Sequence, residues 1–150
     1  MLIRALKQSD FDCVLSMMRT FYASDALLVH PEEAVLRKTL TDALSDCPYL
    51  EAFGFEAEGV LAGYGMVAIS YSTEAGGLCA WIEDIYIEPS YRGKGIGSSF
   101  LDFVWQRYHK RVVRIRLEAE PENTRAMAVY RKAGYTVLGY TQLVRELGSL

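Results

Sequence analysis

The order of apolar and polar positions predicts that the chain begins with a short strand and two amphipathic helices. Residues 2–6 form an apolar run typical of a strand. Apolar side chains then recur at helical spacing over residues 11–21 and 36–44, so each helix should bury one face. Ser9 and Asp12 have the spacing of a capping box and predict the start of the first helix.

The middle of the chain predicts an antiparallel sheet. Residues 22–29 have no regular pattern and predict a mobile loop or a short helix. Two strand-like runs, 49–58 and 60–71, are separated by Gly59 and predict a hairpin. Residues 78–87 then add a third strand to the same meander.

The second half alternates helices with strands. A strong apolar stripe predicts a helix over residues 96–108, and alternating apolar positions predict a half-buried strand over 112–118. Residues 123–132 predict another helix, which Gly134 can end, and residues 135–147 predict one or two strands. The whole pattern indicates one α/β domain, in which an antiparallel meander precedes a strand–helix–strand–helix–strand unit.

Length and charge narrow the possible functions. The chain of 150 residues, 1–150, has the size of a single domain. Its formal net charge of -3 and sequence pI of about 5.4 argue against a nucleic-acid partner and suit a cationic substrate. No apolar run approaches the ~18 residues of a membrane span, and the first residues lack the layout of a signal peptide. The expected compartment is therefore the cytoplasm, with no membrane partner.

Cysteine and histidine positions predict neither a disulfide framework nor a metal site. The three cysteines, Cys13, Cys47 and Cys79, are widely spaced among apolar residues and are expected to be buried free thiols. His30 and His109 do not have the spacing of metal ligands, so exposed or helix-capping positions are expected for both.

The candidate chemistry is concentrated in residues 81–98, where an acidic strand leads through a proline-marked loop into a glycine-rich helix start. Backbone N–H groups at such a helix start bind anions, and small residues let an anion approach them. The loop lacks the GxxxxGK pattern of a Walker motif and the last glycine of a GxGxxG dinucleotide fingerprint. Its sequence is Arg92-Gly93-Lys94-Gly95-Ile96-Gly97-Ser98.

Two motifs at this separation resemble those of the GNAT family of N-acetyltransferases. They are Arg92-x-x-Gly95-x-Gly97 and Asn123-x-x-Ala126-x-x-x-Tyr130-x-x-x-Gly134-Tyr135, and with the elements around them they cover about the C-terminal half. The resemblance implies the GNAT fold, an α/β (α+β) arrangement with a mixed central sheet. Its N-terminal meander is antiparallel, its parallel strands splay around the cofactor, and about four helices flank the sheet.

The resemblance also implies an acetyl-CoA site. Its pantetheine arm is expected to bind like an added strand against the backbone of Ile85, Tyr86 and Ile87. Asn123 is expected to contact the same arm, although it could equally be a helix cap. The pyrophosphate is expected to be held by Arg92 and by the amides of Gly93, Lys94, Gly95, Ile96, Gly97 and Ser98.

The reaction needs a base that takes a proton from the amine and an acid that protonates the departing thiolate. A carboxylate and a hydroxyl are the expected groups. An alkyl amine has a pKa near ~10.4, so a base must remove a proton before the nitrogen can attack a thioester. Glu83 and Asp84 are the candidates, and neighbours on a regular strand face opposite ways unless a bulge intervenes. This pair resembles that of diamine acetyltransferases, and we predict Glu83 as the base with Asp84 orienting the substrate. The resemblance places Tyr130 as the acid for the departing thiolate, and a backbone N–H near Ile85 is expected to stabilise the oxyanion.

These features predict an acetyl-CoA-dependent N-acetyltransferase that acts by direct attack in a ternary complex without a metal. The expected acceptor is a primary amine of a small cationic molecule, polyamine-like as a first choice. An acceptor amine on a peptide, protein or aminoglycoside remains open, and so do a non-catalytic acyl-CoA sensor and a nicotinamide-dependent oxidoreductase. A homodimer is possible, and nucleic acid is not an expected partner.

Overall fold

A five-stranded mixed sheet forms the centre of the molecule. The computed structural model describes residues 1–24 and 30–147. Its strands are β1 (Leu2–Ala5), β2 (Leu50–Ala57), β3 (Val60–Ser72), β4 (Gly77–Ile87) and β5 (Arg114–Leu117). They lie side by side in sequence order, with antiparallel pairing from β1 to β4 and parallel pairing between β4 and β5. The predicted meander is confirmed.

Helices cover both faces of this sheet. The α-helices in the described ranges are α1 (Phe11–Tyr22), α2 (Glu33–Ala43), α3 (Ile96–Tyr108) and α4 (Thr124–Lys132), and short 3-10 helices span Gln8–Asp10 and Pro89–Tyr91. The apolar stripes of α1 and α2 pack with Tyr64, Met66 and Tyr86 on one face. On the other face, α3 packs against Val67 and Ile82, and its Phe100 is 0% exposed. Burial of such a side chain contributes about 2–3 kcal/mol.

Strand β4 contains a β-bulge at Glu83. Met66 of β3 lies opposite Asp84, and the next residue, Val67, lies opposite Ile82, so Glu83 is the extra residue. Beyond the bulge, the residues that would have faced one side of the sheet face the other side. Ile82 therefore packs with α3, whereas Tyr86, an even number of residues further on, packs with α1.

The parallel strands separate at the same place. β4 pairs with β5 only from Cys79 to Ile82, opposite Arg114 to Leu117. Beyond Ile82, β4 continues to Ile87 beside β3 alone. This splay leaves a gap at the carboxyl end of β5, and it confirms the GNAT fold that the two motifs implied.

The prediction of one or two strands over residues 135–147 is wrong, because this segment contains no strand. Apolar alternation supplies suitable side chains, but a strand also requires a neighbour that satisfies its backbone groups. The segment makes side-chain contacts instead, from Tyr140 to Glu74 and from Gln142 to Glu118. Leu143 is consequently 94% exposed.

Three smaller predictions are also corrected by the structure. The capping box of Ser9 and Asp12 is wrong, because Asp10 accepts the N–H of Lys7 at 2.8 Å just before α1. Cys79 is buried as expected, whereas Cys13 is exposed and Cys47 is partly exposed. Cys13 lies outside the stripe of buried residues on α1, so it is on the exposed face of that helix.

The expected positions of both histidines are confirmed, since both are exposed. Nδ1 of His109 lies 3.1 Å from the carbonyl oxygen of Trp105 at the end of α3. The loop or short helix predicted for residues 22–29 falls mostly on residues 25–29, which lie outside the described residues. None of the helices described here has the length and apolar character to cross a membrane.

Candidate active site

The bulge on β4 places two neighbouring carboxylates in different surroundings. Asp84 is only 4% exposed and points to the face that α1 covers. Its Oδ1 accepts a hydrogen bond from the Tyr22 hydroxyl at 2.7 Å, and its Oδ2 accepts one from the Tyr64 hydroxyl at 3.0 Å. Asp84 thus connects the end of α1 to β3, with one phenol on each oxygen.

The buried carboxylate of Asp84 has an unusual electrostatic environment. Burial raises the pKa of Asp84, and the hydrogen bonds from Tyr22 and Tyr64 partly oppose that rise. Burial and the charge of Asp84 raise the pKa of both phenols, so the two hydroxyls remain protonated donors. In the ranges that the structure describes, no basic side chain forms a salt bridge with Asp84.

Glu83 lies on the bulge itself and remains in contact with solvent. Partial desolvation raises the pKa of Glu83, and the charges of Asp84 and Glu118 raise it further. A solvent-accessible carboxylate with a raised pKa can accept a proton from an ammonium group and release it to water. The two acids therefore have distinct properties: Asp84 is buried and hydrogen-bonded, and Glu83 is accessible and more basic than usual.

The backbone beyond the bulge offers hydrogen-bonding groups to the gap between β4 and β5. In an antiparallel pair, residues bonded to the partner alternate with residues whose backbone groups point away. Glu88 N donates to Ala62 O at 2.9 Å, so the groups of Ile85 and Ile87 point away from β3. Those of Tyr86 point to β3, so only two of the three residues predicted to bind the pantetheine arm face the gap.

The glycine-rich loop follows directly after β4. Gly93 and Gly95 have φ angles of 78° and 82°, which only glycine adopts without strain. Gly95 is the N-cap of α3 and has no side chain, so the first N–H groups of the helix are left for other partners. Arg92 also turns back toward β4, since its Nε donates to the carbonyl oxygen of Ile87 at 2.9 Å. The loop therefore presents backbone donors and positive charge at one end of the gap.

Helix α4 carries two of the predicted site residues, Asn123 as its N-cap and Tyr130. Oδ1 of Asn123 accepts the N–H of Ala126 at 3.1 Å, so Asn123 is a helix cap, one of its two predicted roles. Tyr130 is half-buried and packs against the same cluster as Ile85 and Ile87, and burial raises its pKa. Its hydroxyl is therefore protonated at neutral pH.

Sequence reasoning missed one residue of this helix, Arg125. A Cβ atom on Gly93 would lie 3.5 Å from Nη2 of Arg125, so this guanidinium adjoins the glycine loop. Its position two residues after Asn123, in the first turn of a predicted helix, was the available signal. The fold alone brings that turn next to the loop.

Comparisons with known proteins agree with this arrangement. The model of the Acetyltransferase (GNAT) family matches residues 15–135. A thialysine N-epsilon-acetyltransferase of Bos taurus is 32% identical over 89% of this chain and 82% of its own. A spermine/spermidine N(1)-acetyltransferase of Bacillus subtilis is 26% identical over 68% of this chain and 70% of its own. The fold matches a possible acetyltransferase from Clostridium difficile 630 with a TM-score of 0.84, at 22% identity over 99% and 98% of the two chains.

Acetyl-CoA is the cosubstrate of this family, and the described residues fit it. The outward backbone groups of Ile85 and the outward N–H of Ile87 complement the amides of a pantetheine arm, whereas the Ile87 carbonyl oxygen already accepts from Arg92. The glycine loop complements a pyrophosphate. The match over residues 15–135 and the 32% identity to a named acetyltransferase settle the family. The chain therefore belongs to the Acetyltransferase (GNAT) family and is an N-acetyltransferase.

Proposed function

We propose that the chain transfers an acetyl group from acetyl-CoA to a primary amine of a small, flexible, cationic acceptor. The acetyl group moves by direct attack within a ternary complex. The bulge at Glu83 is the observation that carries this proposal, because it puts an accessible carboxylate with a raised pKa where β4 and β5 part. The printed names of the relatives, thialysine and spermine/spermidine acetyltransferases, support a small amine as acceptor.

Glu83 is the proposed general base. The ammonium group of the acceptor must lose a proton before its nitrogen can attack, and a carboxylate with a raised pKa matches that requirement better than an ordinary one. Because Glu83 remains in contact with solvent, the proton can then pass to water. The transfer is direct or through one bridging water.

Asp84 has a different proposed role from the one that the sequence suggested. Both of its oxygens already accept hydrogen bonds from tyrosines, so direct orientation of the substrate is replaced by an electrostatic role. Its negative charge attracts the cationic acceptor and raises the pKa of Glu83. The buried network thereby tunes the neighbouring base.

The remaining residues hold the cosubstrate and complete the proton balance. When bound, acetyl-CoA supplies the acetyl group as an activated thioester. The N–H of Ile85 would donate to its carbonyl oxygen, and Ile87 would pair with the pantetheine arm. Arg92, Arg125 and the amides from Gly93 to Ser98 would bind the pyrophosphate. The hydroxyl of Tyr130 would protonate the departing thiolate.

Thiol release from acetyl-CoA, measured with a panel of amines, tests this function. We expect Glu83→Gln to lower kcat/KM by about 10²- to 10⁴-fold and to remove the rise of activity with pH that the base produces. Binding of acetyl-CoA should not change, and Glu58→Gln, on an exposed turn, is the control of equal charge change.

Two outcomes would contradict the assignment. If Asp84→Asn removes the rise with pH and Glu83→Gln does not, the base is Asp84. If no amine is acetylated although acetyl-CoA binds tightly, the chain is a sensor of acyl-CoA rather than the proposed catalyst.

A further inference from the structure

A polar cavity lies on the sheet face that carries Asp84, near the turn between β3 and β4. On this face three cross-strand pairs follow one another: Met66 with Asp84, Ala68 with Trp81, and Ser70 with Cys79. The cavity has a volume of about 230 Å³, and its lining includes Ser70, Ser72, Glu74, Trp81 and Arg116. Trp81, two residues before Glu83 on β4, is the lining residue nearest in sequence to the acidic pair.

Arg116 is the distinctive group in this cavity. It is half-buried, and its Cζ lies 4.2 Å from the centre of the Trp81 ring, so the guanidinium lies over the indole. In the described part of the chain no carboxylate forms a salt bridge with Arg116, whereas Arg114 pairs with Glu74 at 3.0 Å. A guanidinium fixed in this way and surrounded by hydroxyls is suited to a carboxylate.

The one carboxylate in the cavity lining does not compete for this site. Glu74 accepts hydrogen bonds from Arg114 at 3.0 Å and from the Tyr140 hydroxyl at 3.1 Å, one on each oxygen. Hydrogen bonds from Arg114 and Tyr140 lower the pKa of Glu74 most, and the charge of Arg116 lowers it further without a hydrogen bond. The positive charge of Arg116 remains available to a ligand that enters the cavity.

The spacing along β4 between Trp81, which carries the guanidinium, and Glu83 matches the length of a particular kind of acceptor. Trp81 precedes Glu83 by two residues, which is about 7 Å along an extended strand. A lysine-like amino acid, with its side-chain amine at one end and its α-carboxylate at the other, spans a comparable length. The surface is acidic at the Glu83 end and basic at the Arg116 end, which matches the polarity of such a molecule.

We propose that the acceptor carries a carboxylate as well as the reacting amine, and that Arg116, stacked on Trp81, binds this carboxylate. This inference rests on the proposed function and names its substrate class: lysine-like amino acids in preference to polyamines, which have no carboxylate. Trp81 is a positioning residue, because it acts by holding the guanidinium.

Lysine and cadaverine provide the test, because they differ only in the carboxylate. With acetyl-CoA and the full chain, we expect kcat/KM for lysine to exceed that for cadaverine by about 10- to 100-fold, the range for a charge-assisted hydrogen-bonded pair. Arg116→Gln should lower this ratio to near one by raising KM for lysine, while kcat/KM for cadaverine and KM for acetyl-CoA stay within about twofold. Arg111→Gln, on an exposed turn after α3, is the control with the same change of charge.

A second measurement needs no substitution and covers the case in which Arg116→Gln does not fold. The methyl ester of lysine keeps the reacting amine and removes the negative charge, so the unchanged enzyme should use it about as poorly as cadaverine. Equal use of lysine and cadaverine by the wild-type chain, or a preference that survives Arg116→Gln, overturns the inference but leaves the proposed function standing. Absence of acetylation with every amine overturns the proposed function, and this inference with it.

Discussion

The hydrogen bond between Tyr64 and Asp84 offers a sharp test of the buried network. Tyr64 is 0% exposed, and its hydroxyl donates to Oδ2 of Asp84 at 3.0 Å. The substitution Tyr64→Phe keeps the ring and removes only this donor, so it leaves no cavity in the core. One oxygen of a buried carboxylate then loses its hydrogen-bond partner.

The expected cost follows from the charge of the acceptor. Hydrogen bonds to charged groups contribute about 1.5–3 kcal/mol, so the free energy of unfolding should fall by that amount at neutral pH. For a chain of this length the midpoint of thermal unfolding should fall by about 3–12 °C. The exposed tyrosine Tyr49, at 70% exposure, is the matched control, and Tyr49→Phe should change the free energy by no more than about 0.5 kcal/mol.

The pH dependence of the same variant has a defined sign. The pKa of Asp84 is raised above its ordinary value of 3.8, so the folded protein holds this proton more tightly than the unfolded chain. The stability that Asp84 contributes is therefore fully present below pH 3.8. It is lost as the pH rises through the pKa that Asp84 has in the folded protein. Tyr64 lowers the pKa of Asp84, so Tyr64→Phe raises it further and extends this loss to higher pH. The variant should thus be more destabilised at neutral than at acidic pH.

Denaturant unfolding followed by circular dichroism, at pH 4 and pH 7, measures both effects. A double-mutant cycle with Asp84→Asn isolates the interaction, and Tyr64→Phe should cost clearly less in that background. The reasoning is refuted if Tyr64→Phe costs no more than Tyr49→Phe, or if its cost is the same with and without the charge of Asp84.

Four further substitutions, one of them a control, test the proposed acid, the glycine loop and the packing of α3. Tyr130→Phe should lower kcat by about 10²- to 10⁴-fold with little change in the Kd of acetyl-CoA, and an unchanged kcat in the thiol-release assay would remove Tyr130 as the acid. Gly95→Ala places a side chain at a φ of 82°, which costs about 1–2 kcal/mol and should weaken acetyl-CoA binding in calorimetry. Gly97→Ala, where φ is not positive, should cost no such backbone strain, and an equal loss of stability in both variants would contradict the argument from backbone conformation. Gly65→Ala puts a Cβ atom 2.4 Å from Cζ of Phe100 and should cost about 1–3 kcal/mol in unfolding experiments, whereas full stability would show that α3 can move aside.

Local patterns in the sequence were sufficient for most of the fold. Periodicity located all four described α-helices and the antiparallel meander, because each of these elements buries one face and the spacing of apolar residues records it. It failed for residues 135–147, where apolar alternation alone predicted strands. The alternation of a segment's side chains does not show whether another strand is available to pair with its backbone.

The candidate site divides in the same way. The sequence identified the glycine loop and the pair Glu83 and Asp84, because these depend on residue types at fixed local spacing. It left Asn123 between two roles, and the hydrogen bond to Ala126 then established the cap. The polar residues of β5 indicated only a half-buried strand. Arg116 became a candidate binding residue only when the structure placed its guanidinium over the ring of Trp81.

The different surroundings of Glu83 and Asp84 were decided by tertiary structure alone. Regular alternation would send the two side chains to opposite faces, but it cannot say which face receives which acid once a bulge intervenes. That bulge exists because β4 pairs with β3, and the tyrosines that enclose Asp84 come from positions 62 and 20 residues away. The sequence by itself therefore determined which groups this N-acetyltransferase has for its chemistry. The pairing of distant strands and helices decided which carboxylate is buried and which one stays open to solvent.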